Sequence, residues 1–513
     1  MISLRLSAPF LGLTLAVAAP ASAQTPQPAT DPTAPFYRVE RVPTPTGIDP
    51  QVGGLAALPD GRLAAAFHRG EVALYNPKTG DWQVFAEGLH EPLGLTSSSQ
   101  GGLLVMQRAE LTRLRDTDGD EVADHYETVW DDFGLSGNYH EFAFGPARGP
   151  DGRLYVGLNV ASGLGTVTPE IRGDWTDIGV PREEFYTAKD WSKMTPRVGR
   201  MFSRVRWRGW VMAVDEVTGR GEGIASGFRS PDGLGFDEAG NLLVDDNQGD
   251  WRGSSEVHVV RKGGFYGHAA SLVWRDDWDG TNPLEVPTAR LNDLRTRAAI
   301  WTPHASYAAS PTQMVVIPRT PAWGDFGGQM VVGEMNSPRL LRLLHEEVGG
   351  VWQGACIVLV ETPALRIGLH RLAFIGDTLY VGRTHLSWAG DEGIAAVTPT
   401  GREPFDIVNM KIVPGGFELR LTKPVAADAA EPARWTGHRY TYNYSVAYGS
   451  PEENKVAVVP ERVTLSADRQ TVRLQFADLQ TDVVYDLRLP DVRSAAGEPL
   501  LNPGIAYTVR KLP

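Results

Sequence analysis

The chain has 513 residues, a formal net charge of −13 at pH 7 and a single cysteine. This acidic balance argues against nucleic acid or an anionic membrane surface as a partner. A single cysteine cannot form an intramolecular disulfide, so the fold must be stable without one, and we expect Cys356 to be a small buried hydrophobic residue.

The N-terminal segment has the pattern of a secretory signal peptide. One basic residue precedes an apolar run, and the run ends in the small residues Ala21-Ser22-Ala23. We expect residues 1–23 to be removed on export to a periplasm or to the medium, and the Pro/Thr-rich residues 24–35 to be a flexible lead-in. Later apolar runs are too short to span a bilayer, so no membrane insertion is expected.

A hairpin pattern recurs six times along the chain. Each copy is an apolar strand, a glycine-containing turn and a second apolar strand, and the copies begin near residues 54, 94, 141, 233, 313 and 371. A third strand usually follows, and a fourth is visible in DWQVFAEG and HYETVWDD. The pattern predicts an all-β fold, a six-bladed β-propeller over residues 36–407. FYRVERVP is predicted to complete the last blade and so to close the ring.

Strand direction brings one set of polar residues to one face of this propeller. Each first strand leaves that face and each second strand returns to it, so residues flanking the hairpins crowd one rim. Histidine, arginine and amide side chains dominate there, and we predict that the rim is the active face. The rim residues are Asp49, Gln51, His68, Arg69, His90, Glu91, Gln107, Arg108, Tyr139, His140, Asn159, Arg229, Ser230, Asp232, Asp246, Asn247, Gln248, Thr312, Glu334, Asn336, His370, Arg383 and His385.

Two long insertions are expected to rise on the same rim. Residues 160–208 lie between the second and third strands of blade three, and residues 264–310 are predicted to join blade four to blade five. Their aromatic and basic residues suit either the walls of a cleft or the packing of the insertions onto the propeller. These residues are Trp175, Trp191, Trp207, Arg197, Arg200, Arg204 and Arg206 in the first insertion, and Trp274, Trp278, Trp301 and His304 in the second.

The stretch DTDGDEVADHYE has the spacing of a calcium-binding loop. Its candidate ligands stand at loop positions 1, 3, 5, 9 and 12, and they are Asp116, Asp118, Asp120, Asp124 and Glu127. Glycine stands at the fourth position instead of the sixth, and no flanking helices are predicted. Since the loop joins a third to a fourth strand, we expect a structural Ca²⁺ site on the opposite face. The alternative is an acidic turn that binds no ion.

The repeated four-strand pattern ends at about residue 407. Alternating strands in residues 408–513 predict a small β-sandwich of the immunoglobulin or fibronectin kind. Within it, RYTYNYSVAY alternates aromatic and polar residues. Such a strand suits either a glycan-binding face or core packing.

Three stretches within residues 36–405 resemble the PQQ-dependent glucose and sorbosone dehydrogenase superfamily, including its membrane-bound-dehydrogenase-like branch. GNYHEFAFGPARGPDGRLYVG is similar to the stretch that carries the family's catalytic histidine. GFRSPDGLGFDEAGNLLVDDNQGDW is similar to the segment that carries its quinone-contacting arginine and calcium loop. EVHVVRKGGFYGH is similar to a strand that leads into the family's Gly-x-Asn-Tyr-Gly pattern.

The resemblance implies an exported dehydrogenase that oxidises a small sugar-like substrate with PQQ and Ca²⁺. It implies that His140 is the base that removes a hydroxyl proton and that Arg229 polarises the quinone. Gly249 and Asp250 are implied to approach the cofactor's Ca²⁺. Further cofactor contacts are implied at Gln107, Tyr139, Gln248, Gly249, Thr312, Asn336, Arg366 and Arg371.

The sequence departs from the family pattern at several of these positions. Asn336 stands where the family has lysine, and only Arg366 and Arg371 remain where it has paired arginines. Ser230 replaces an asparagine, and Asp250 replaces a proline. Fewer cations imply weaker binding of a cofactor with three carboxylates.

Two other functions stay open on the sequence alone. Glu91, Asn159, Asn247 and Glu334 could hold one axial Ca²⁺ whose bound water attacks an ester, as in a lactonase-type propeller hydrolase. A propeller that binds a glycan without catalysis is the third possibility. His140 could also have a structural role, in which it bonds a neighbouring blade and seals the rim.

Overall fold

β-Strands dominate the part of the chain that the computed structural model describes, which comprises residues 31–163, 171–179, 181–187, 199–304, 306–385 and 390–513. The side chains of residues 185 and 186 are not included in this description. The expected signal peptide, Trp191 and Arg197 lie outside the described residues. Within the described ranges, no helix combines the length and the apolar character needed to cross a membrane.

Six antiparallel units of four strands follow the predicted repeat. The N-terminal strand is β1 (Tyr37–Val42). The first sheet contains β2 (Val52–Ala57), β3 (Leu63–Phe67), β4 (Val72–Tyr75) and β5 (Trp82–Ala86). The second contains β6 (Gly94–Ser97), β7 (Leu103–Met106), β8 (Leu111–Arg115) and β9 (His125–Trp130). The third contains β10 (Ala143–Arg148), β11 (Leu154–Leu158), β12 (Trp210–Val214) and β13 (Gly221–Ser226).

The remaining units have the same strand order. The fourth contains β14 (Leu234–Phe236), β15 (Leu242–Asp246), β16 (Ser255–Val260) and β17 (Ile300–Thr302). The fifth contains β18 (Pro311–Val316), β19 (Met330–Glu334), β20 (Arg339–Val348) and β21 (Val351–Glu361). The sixth contains β22 (Leu369–Ile375), β23 (Thr378–Arg383) and β24 (Gly393–Pro399), with β1 at its edge.

The first strands of these units contact one another in cyclic order. β2 packs on β6, β6 on β10, β10 on β14, β14 on β18, β18 on β22, and β22 on β2. β1 pairs with β24 along its whole length, from Tyr37 opposite Pro399 to Val42 opposite Ile394. The strand predicted from FYRVERVP is therefore present at the edge of the last unit. This order is consistent with an all-β propeller.

Inner strands are hydrophobic on both faces, whereas outer strands differ in burial. β3, with the sequence LAAAF, is buried at every position, while β9 is buried only at Trp130. Glycine permits the close approach of neighbouring units, because a Cβ on Gly94 would lie 1.3 Å from the carbonyl oxygen of Gly145. The core therefore runs around the ring between adjacent sheets.

The predicted position of the second insertion is wrong. β17 lies inside residues 264–310 and pairs with β16, with Ile300 opposite Val257. The insertion therefore separates the third and fourth strands of one unit and does not join two units. The error has a physical reason, since a strand of three residues is too short to show an alternating pattern. The chain nevertheless returns to the rim, where the N–H of His268 donates to the Gly227 carbonyl at 2.8 Å.

Short helices occupy the insertions and the connections. In the described ranges, the α-helices are α1 (Arg182–Thr187) and α2 (Thr288–Leu294). The 3₁₀ turns are Ala269–Trp274, Pro283–Glu285, Gly324–Phe326, Pro363–Leu365, Ala427–Ala430 and Pro432–Arg434.

The C-terminal region forms two further four-stranded layers around one hydrophobic core. Its strands are β25 (Ile407–Val413), β26 (Gly416–Leu421), β27 (Thr436–Thr441), β28 (Glu453–Val458), β29 (Arg462–Leu465), β30 (Thr471–Gln475), β31 (Val483–Arg488) and β32 (Gly504–Val509). One layer has the order β25-β26-β30-β29. The other, β32-β31-β27-β28, continues the fifth unit because β32 pairs with β21. The sequence did not predict this continuity.

Candidate functional site

His140 is buried beside the start of β10 and is held in one tautomer. It is 3% exposed, and its Nδ1 lies 2.7 Å from the carbonyl oxygen of Val160. A carbonyl oxygen can only accept, so Nδ1 carries the proton and the neutral ring keeps the lone pair of Nε2. Burial, followed by the positive charge of Arg229, lowers the pKa of His140 to about 3. The imidazole is therefore neutral at pH 7.

The loop that carries His140 is fixed by buried hydrogen bonds to the first insertion. Asn138 Oδ1 accepts the backbone N–H of His140 at 3.0 Å and that of Ser162 at 3.2 Å. The Glu141 carboxylate accepts the Ser203 hydroxyl at 2.9 Å. Because both partners lie in residues 160–208, the insertion packs behind the histidine and fixes its position.

Arg229 lies in the same buried region, and its guanidinium makes few hydrogen bonds within the described residues. Its backbone N–H donates to Asp246 Oδ2 at 2.8 Å, and its Nε lies 3.4 Å from the Met201 sulfur. Within the described part of the chain, its two terminal nitrogens have no hydrogen-bond partner. Burial lowers the pKa of Arg229, but the group stays protonated at any pH of interest. It therefore presents a positive charge with unused donors.

Gly249 lies directly against the Arg229 side chain. A Cβ at this glycine would lie 2.7 Å from Arg229 Nε and 3.0 Å from its Cδ. Any other residue would displace the arginine, so glycine is required by close approach. The Gly249 carbonyl already accepts the N–H of Arg252 at 3.1 Å and that of Gly449 at 3.0 Å. The resemblance implied that Gly249 approaches a cofactor Ca²⁺, and that role stays a prediction, since the Gly249 carbonyl is engaged by the protein.

The electrostatic field around His140 is positive. Arg229, Arg108 and Arg200 all lower the pKa of the imidazole through their charge. Arg108 pairs with Glu91 and donates to the Tyr139 carbonyl at 2.9 Å. Burial raises the pKa of the neighbouring Asp250 carboxyl, although the charges of Arg200 and Arg229 oppose that rise. This environment favours an anionic ligand.

His268 is a second buried imidazole near His140, and the sequence analysis assigned it no role. It is 1% exposed, and neither ring nitrogen has a hydrogen-bond partner among the described residues. Burial lowers the pKa of His268 well below its usual value, and the charges of Arg252, Arg229 and His140 lower it further. The sequence could have pointed to His268, because this residue ends the GGFYGH stretch that resembles a family pattern.

Arg371 directs its guanidinium to other groups of the protein. It donates to Asp232 Oδ1 at 2.7 Å, to the Gly53 carbonyl at 2.9 Å and to the Leu93 carbonyl at 2.8 Å. The residue is 3% exposed, and these partners come from different sheets and from the loop before β14. Arg371 thus ties the inner strands together, and a contact with a cofactor would break those bonds.

Other predicted cofactor contacts are likewise bonded within the protein. Gln107 accepts the N–H of His90 and donates to the Thr112 hydroxyl at 2.6 Å. The Thr312 hydroxyl donates to the Leu369 carbonyl at 2.7 Å. These bonds link neighbouring strands and leave little hydrogen-bonding capacity for a ligand.

The remaining predicted contacts differ in exposure. Gln248 Nε2 donates to the Gly253 carbonyl at 3.0 Å within its own turn. Arg366 is exposed and pairs with Asp391, and Asn336 is exposed on the turn after β19. Tyr139 is 52% exposed, and its ring lies edge-on to His140 at 5.8 Å. Of this group, the structure brings Tyr139 closest to the histidine, and the roles of the others stay predictions.

The predicted calcium loop lies at the other end of the second sheet. Carboxylate oxygens of Asp116, Asp118 and Asp120 lie within 4.8 Å of one another. The charge of Asp120 raises the pKa of Asp118, which shows that the carboxylates repel one another. Two of the five predicted ligands point elsewhere. Asp124 accepts the Thr117 hydroxyl at 2.6 Å, and Glu127 pairs with Arg113 at 2.8 Å.

The alternative axial metal set is only partly available. Asn159 and Asn247 each donate through Nδ2 to a serine hydroxyl at 2.7 Å, in Ser230 and Ser310. Their side-chain oxygens are buried and have no partner in the described part of the structure. Glu334 accepts the N–H of Ser310 at 3.1 Å, and Glu91 pairs with Arg108 as noted above. Two amide oxygens thus remain as candidate ligands.

Comparison with known proteins gives similarity of fold. A family model described as a domain of unknown function (DUF7133) matches residues 78–202, and no curated protein matches. Among solved structures, the PQQ-bound aldose sugar dehydrogenase of Streptomyces coelicolor is 17% identical over 71% of this chain and 98% of its own, with a TM-score of 0.43. A putative glucose dehydrogenase of Thermus thermophilus is 20% identical over 70% of this chain and 99% of its own, with a TM-score of 0.45.

A gluconolactonase of Xanthomonas campestris is also similar, with 14% identity over 71% of this chain and 90% of its own and a TM-score of 0.39. The solved structures to which the chain is similar include sugar dehydrogenases as well as this gluconolactonase. Similarity at this level describes architecture, because one fold supports many activities. The activity of this chain must be argued from its own residues.

Proposed function

We propose that this chain is an exported quinoprotein-type dehydrogenase that oxidises a hydroxyl group of a sugar or related polyol. The observation that carries the proposal is that His140, a buried neutral imidazole, lies near Arg229, whose two terminal nitrogens have no hydrogen-bond partner among the described residues. The first group can accept a proton, and the second can stabilise negative charge beside it. Oxidation of an alcohol needs both at one ligand.

His140 would act through Nε2, because Nδ1 stays bonded to Val160. The hydroxyl proton of the substrate passes to Nε2 while the carbon gives up hydride, so the C–O bond becomes a carbonyl. A pKa of about 3 makes the imidazole a weak base in the free protein. An anion bound at Arg229 would offset the positive charges around His140 and raise its pKa toward the range in which a base is effective.

A bound quinone would supply the acceptor for the hydride. Arg229 and Arg200 would hold its carbonyl or carboxylate oxygens, and Gly249 leaves room for the Arg229 side chain that would do so. Asp250, a buried carboxyl beside both arginines, is a better ligand for a cofactor Ca²⁺ than the engaged Gly249 carbonyl. We infer that PQQ binds with fewer polar and ionic contacts than the superfamily pattern implies, since Thr312 and Arg371 are bonded within the protein.

A spectroscopic titration tests this proposal. The mature chain is titrated with PQQ and Ca²⁺, and aldoses are then added. We expect a bound-quinone spectrum that aldose bleaches. In His140→Asn, binding should persist while bleaching slows by about 10²–10⁴, the range for loss of a general base.

His345→Asn is the matched control, because this histidine is bonded to Asp237 at 2.8 Å on the opposite face. It should leave bleaching unchanged. Absence of bleaching in the wild-type protein, or an equal rate in His140→Asn, would contradict the proposal.

A second candidate function, a Ca²⁺-dependent lactonase, rests on the unpartnered amide oxygens of Asn159 and Asn247. Amide oxygens are hard ligands of the kind that Ca²⁺ prefers, and a metal-bound water would attack a lactone carbonyl. Lactone hydrolysis with Ca²⁺ and without quinone, abolished in Asn247→Leu, would favour this function over the dehydrogenase.

The proposed domain organisation has four parts. Residues 1–23 are a signal peptide, residues 24–35 a lead-in, residues 36–407 a six-bladed β-propeller and residues 408–513 a β-sandwich. The cyclic packing of the first strands and the pairing of β1 with β24 support the propeller. Export to the periplasm or medium, with a mature N-terminus at Gln24, can be checked by fractionation and N-terminal sequencing.

A further inference from the structure

A loop of the C-terminal region, residues 443–450, lies on the turn that follows β15. The N–H of Trp251 donates to the Ser445 carbonyl at 3.0 Å, and the N–H of Gly449 donates to the Gly249 carbonyl at 3.0 Å. The N–H of Ser450 donates to the Gly253 carbonyl at 2.8 Å. These three bonds fix the loop to the segment that packs on Arg229.

The loop presents Tyr448 to the candidate site. The ring centroid of Tyr448 lies 4.5 Å from Arg200 Cζ and 5.9 Å from Arg229 Cζ. Its backbone pairs with that of Asp250 in an isolated bridge. Guanidinium groups that lie over an aromatic ring are attracted to its face, so Tyr448 and the two arginines support one another's positions.

Tyr448 remains 45% exposed although it is held by these contacts. Its exposure contrasts with that of Tyr440 and Tyr442 of RYTYNYSVAY, which are buried in a core, while Tyr444 is partly buried. Tyr440 and Tyr442 fit the core-packing alternative, whereas Tyr448 does not. A fixed, exposed ring loses little conformational freedom when a ligand packs on it, as at binding surfaces.

Tyr139 provides a second exposed ring near the same arginine. Tyr139 and Tyr448 both lie close enough to Arg229 to affect its pKa, and Tyr139 directly precedes His140. Two exposed tyrosines, one from the ring of sheets and one from the C-terminal region, therefore lie near the Arg229 guanidinium.

We propose that Tyr448 contacts the ligand, so that the C-terminal region supplies part of the site. The ligand class is a polyol ring whose C–H face packs on the phenol while its oxygens reach the guanidinium groups. This inference rests on the proposed function in placing the ligand beside His140 and Arg229. It goes beyond that function because it assigns ligand recognition to a residue outside the ring of six sheets.

Binding of D-glucose and of D-gluconate to the full mature chain tests the inference, measured by ligand-observed NMR with PQQ and Ca²⁺ present. Tyr448→Ala should weaken binding of at least one probe about tenfold, because an aromatic contact contributes about that factor. Tyr448→Phe keeps the ring and should stay within about twofold of the wild-type protein. Val446→Ala is the control, because Val446 is equally exposed in the same loop.

Thermal melting of each variant separates recognition from loss of docking. We expect melting temperatures near that of the wild-type protein, since the backbone bonds of the loop do not involve the Tyr448 ring. Unchanged binding in Tyr448→Ala, equal weakening in Val446→Ala, or no binding of either probe to the wild-type protein would overturn the inference.

Oxidation measured in parallel distinguishes this inference from the proposed function. Binding that depends on Tyr448, without oxidation of aldose, would contradict the proposed dehydrogenase function and support the inference. Aldose oxidation with an unchanged KM in Tyr448→Ala would support the dehydrogenase and overturn the inference about Tyr448.

Discussion

His140 and Arg229 are joined through the backbone of one residue, Val160. The Nδ1 of His140 donates to the Val160 carbonyl at 2.7 Å, and the N–H of Val160 donates to the Arg229 carbonyl at 3.1 Å. Val160 is fully buried and packs with Met201 and Phe202 of the first insertion. The relative position of the imidazole and the arginine is therefore set by main-chain bonds inside a small core.

This arrangement predicts a specific dependence of stability on pH. His140 has a folded-state pKa of about 3 and an unfolded value of about 6.5. As the pH falls between these values, the unfolded chain binds a proton that the folded chain excludes, so stability is lost. His140→Asn removes this loss.

Melting curves from about pH 8 to about pH 4 check the prediction. The wild-type melting temperature should fall relative to that of His140→Asn as the pH drops below about 6.5. The other buried histidines are common to both proteins and cancel in the difference. A difference that stays constant across this range would show that burial does not exclude the proton.

Arg229 should control the basicity of His140. Its charge is the second cause, after burial, of the lowered pKa, so Arg229→Gln should raise the pKa of the imidazole above about 3. An NMR titration of the His140 ring measures this directly. Arg366→Gln is the control, because Arg366 is exposed and paired with Asp391 and should leave the titration unchanged. An unaltered pKa in Arg229→Gln would mean that the two groups are electrostatically independent.

The fold was largely predictable because its signals are local. Strand alternation and glycine turns repeat within each unit, and the closing strand could be inferred because a ring leaves no unpaired edge. The fourth strand at residues 300–302 was missed since three residues carry no period. The pairing of β32 with β21 joins segments about 150 residues apart, and neither segment contains a local signal for it.

The sequence predicted which residue types lie at the site better than it predicted which groups each side chain bonds. His140, Arg229 and Gly249 do lie together, because strand direction fixes which loop ends share a face. That Arg371 and Thr312 are bonded across sheets depends on neighbours more than 50 residues away, such as Asp232 and Leu369. No local sequence pattern marks Tyr448 as a site residue, since its role depends on how the C-terminal loop packs on the turn after β15.

We expect Arg371 to stabilise the fold and not to bind a cofactor. Arg371→Met removes the cationic partner of buried Asp232, which keeps only the longer contact to His370 at 3.4 Å, and loss of one member of a buried ion pair costs about 3–5 kcal/mol. The double variant Arg371→Met/Asp232→Leu removes both charges and should recover much of that loss. Urea unfolding measures the free energy of each. Unchanged stability with lost PQQ binding would instead assign Arg371 to the cofactor.

The acidic loop should bind Ca²⁺ without taking part in turnover. Repulsion among Asp116, Asp118 and Asp120 would be relieved by a cation, so Ca²⁺ should raise the melting temperature. Asp118→Asn should lose this gain while keeping the rate of aldose oxidation, because the loop lies at the end of its sheet opposite His140. Asp81→Asn, an exposed aspartate in another turn, is the control. A large loss of turnover in folded Asp118→Asn would place the loop in the catalytic machinery.

Closure of the ring by β1 should be a main source of its stability. Tyr37 and Val42 point into two cores and are 5% and 4% exposed, whereas Arg38 and Arg41 between them are exposed. Tyr37→Ala/Val42→Ala should cost on the order of 5 kcal/mol, because it empties two buried positions. It should also free the edge of β24 for aggregation.

The matched control is Arg38→Ala/Arg41→Ala on the same strand, which should change the free energy of unfolding by less than about 1 kcal/mol. Denaturant titration with light scattering measures both effects. The strand pairing of β1 with β24 spans all six of its residues, so the core substitutions should weaken the closure from both ends. Equal tolerance of the two double variants would mean that β1 lies on the last sheet without holding the ring together.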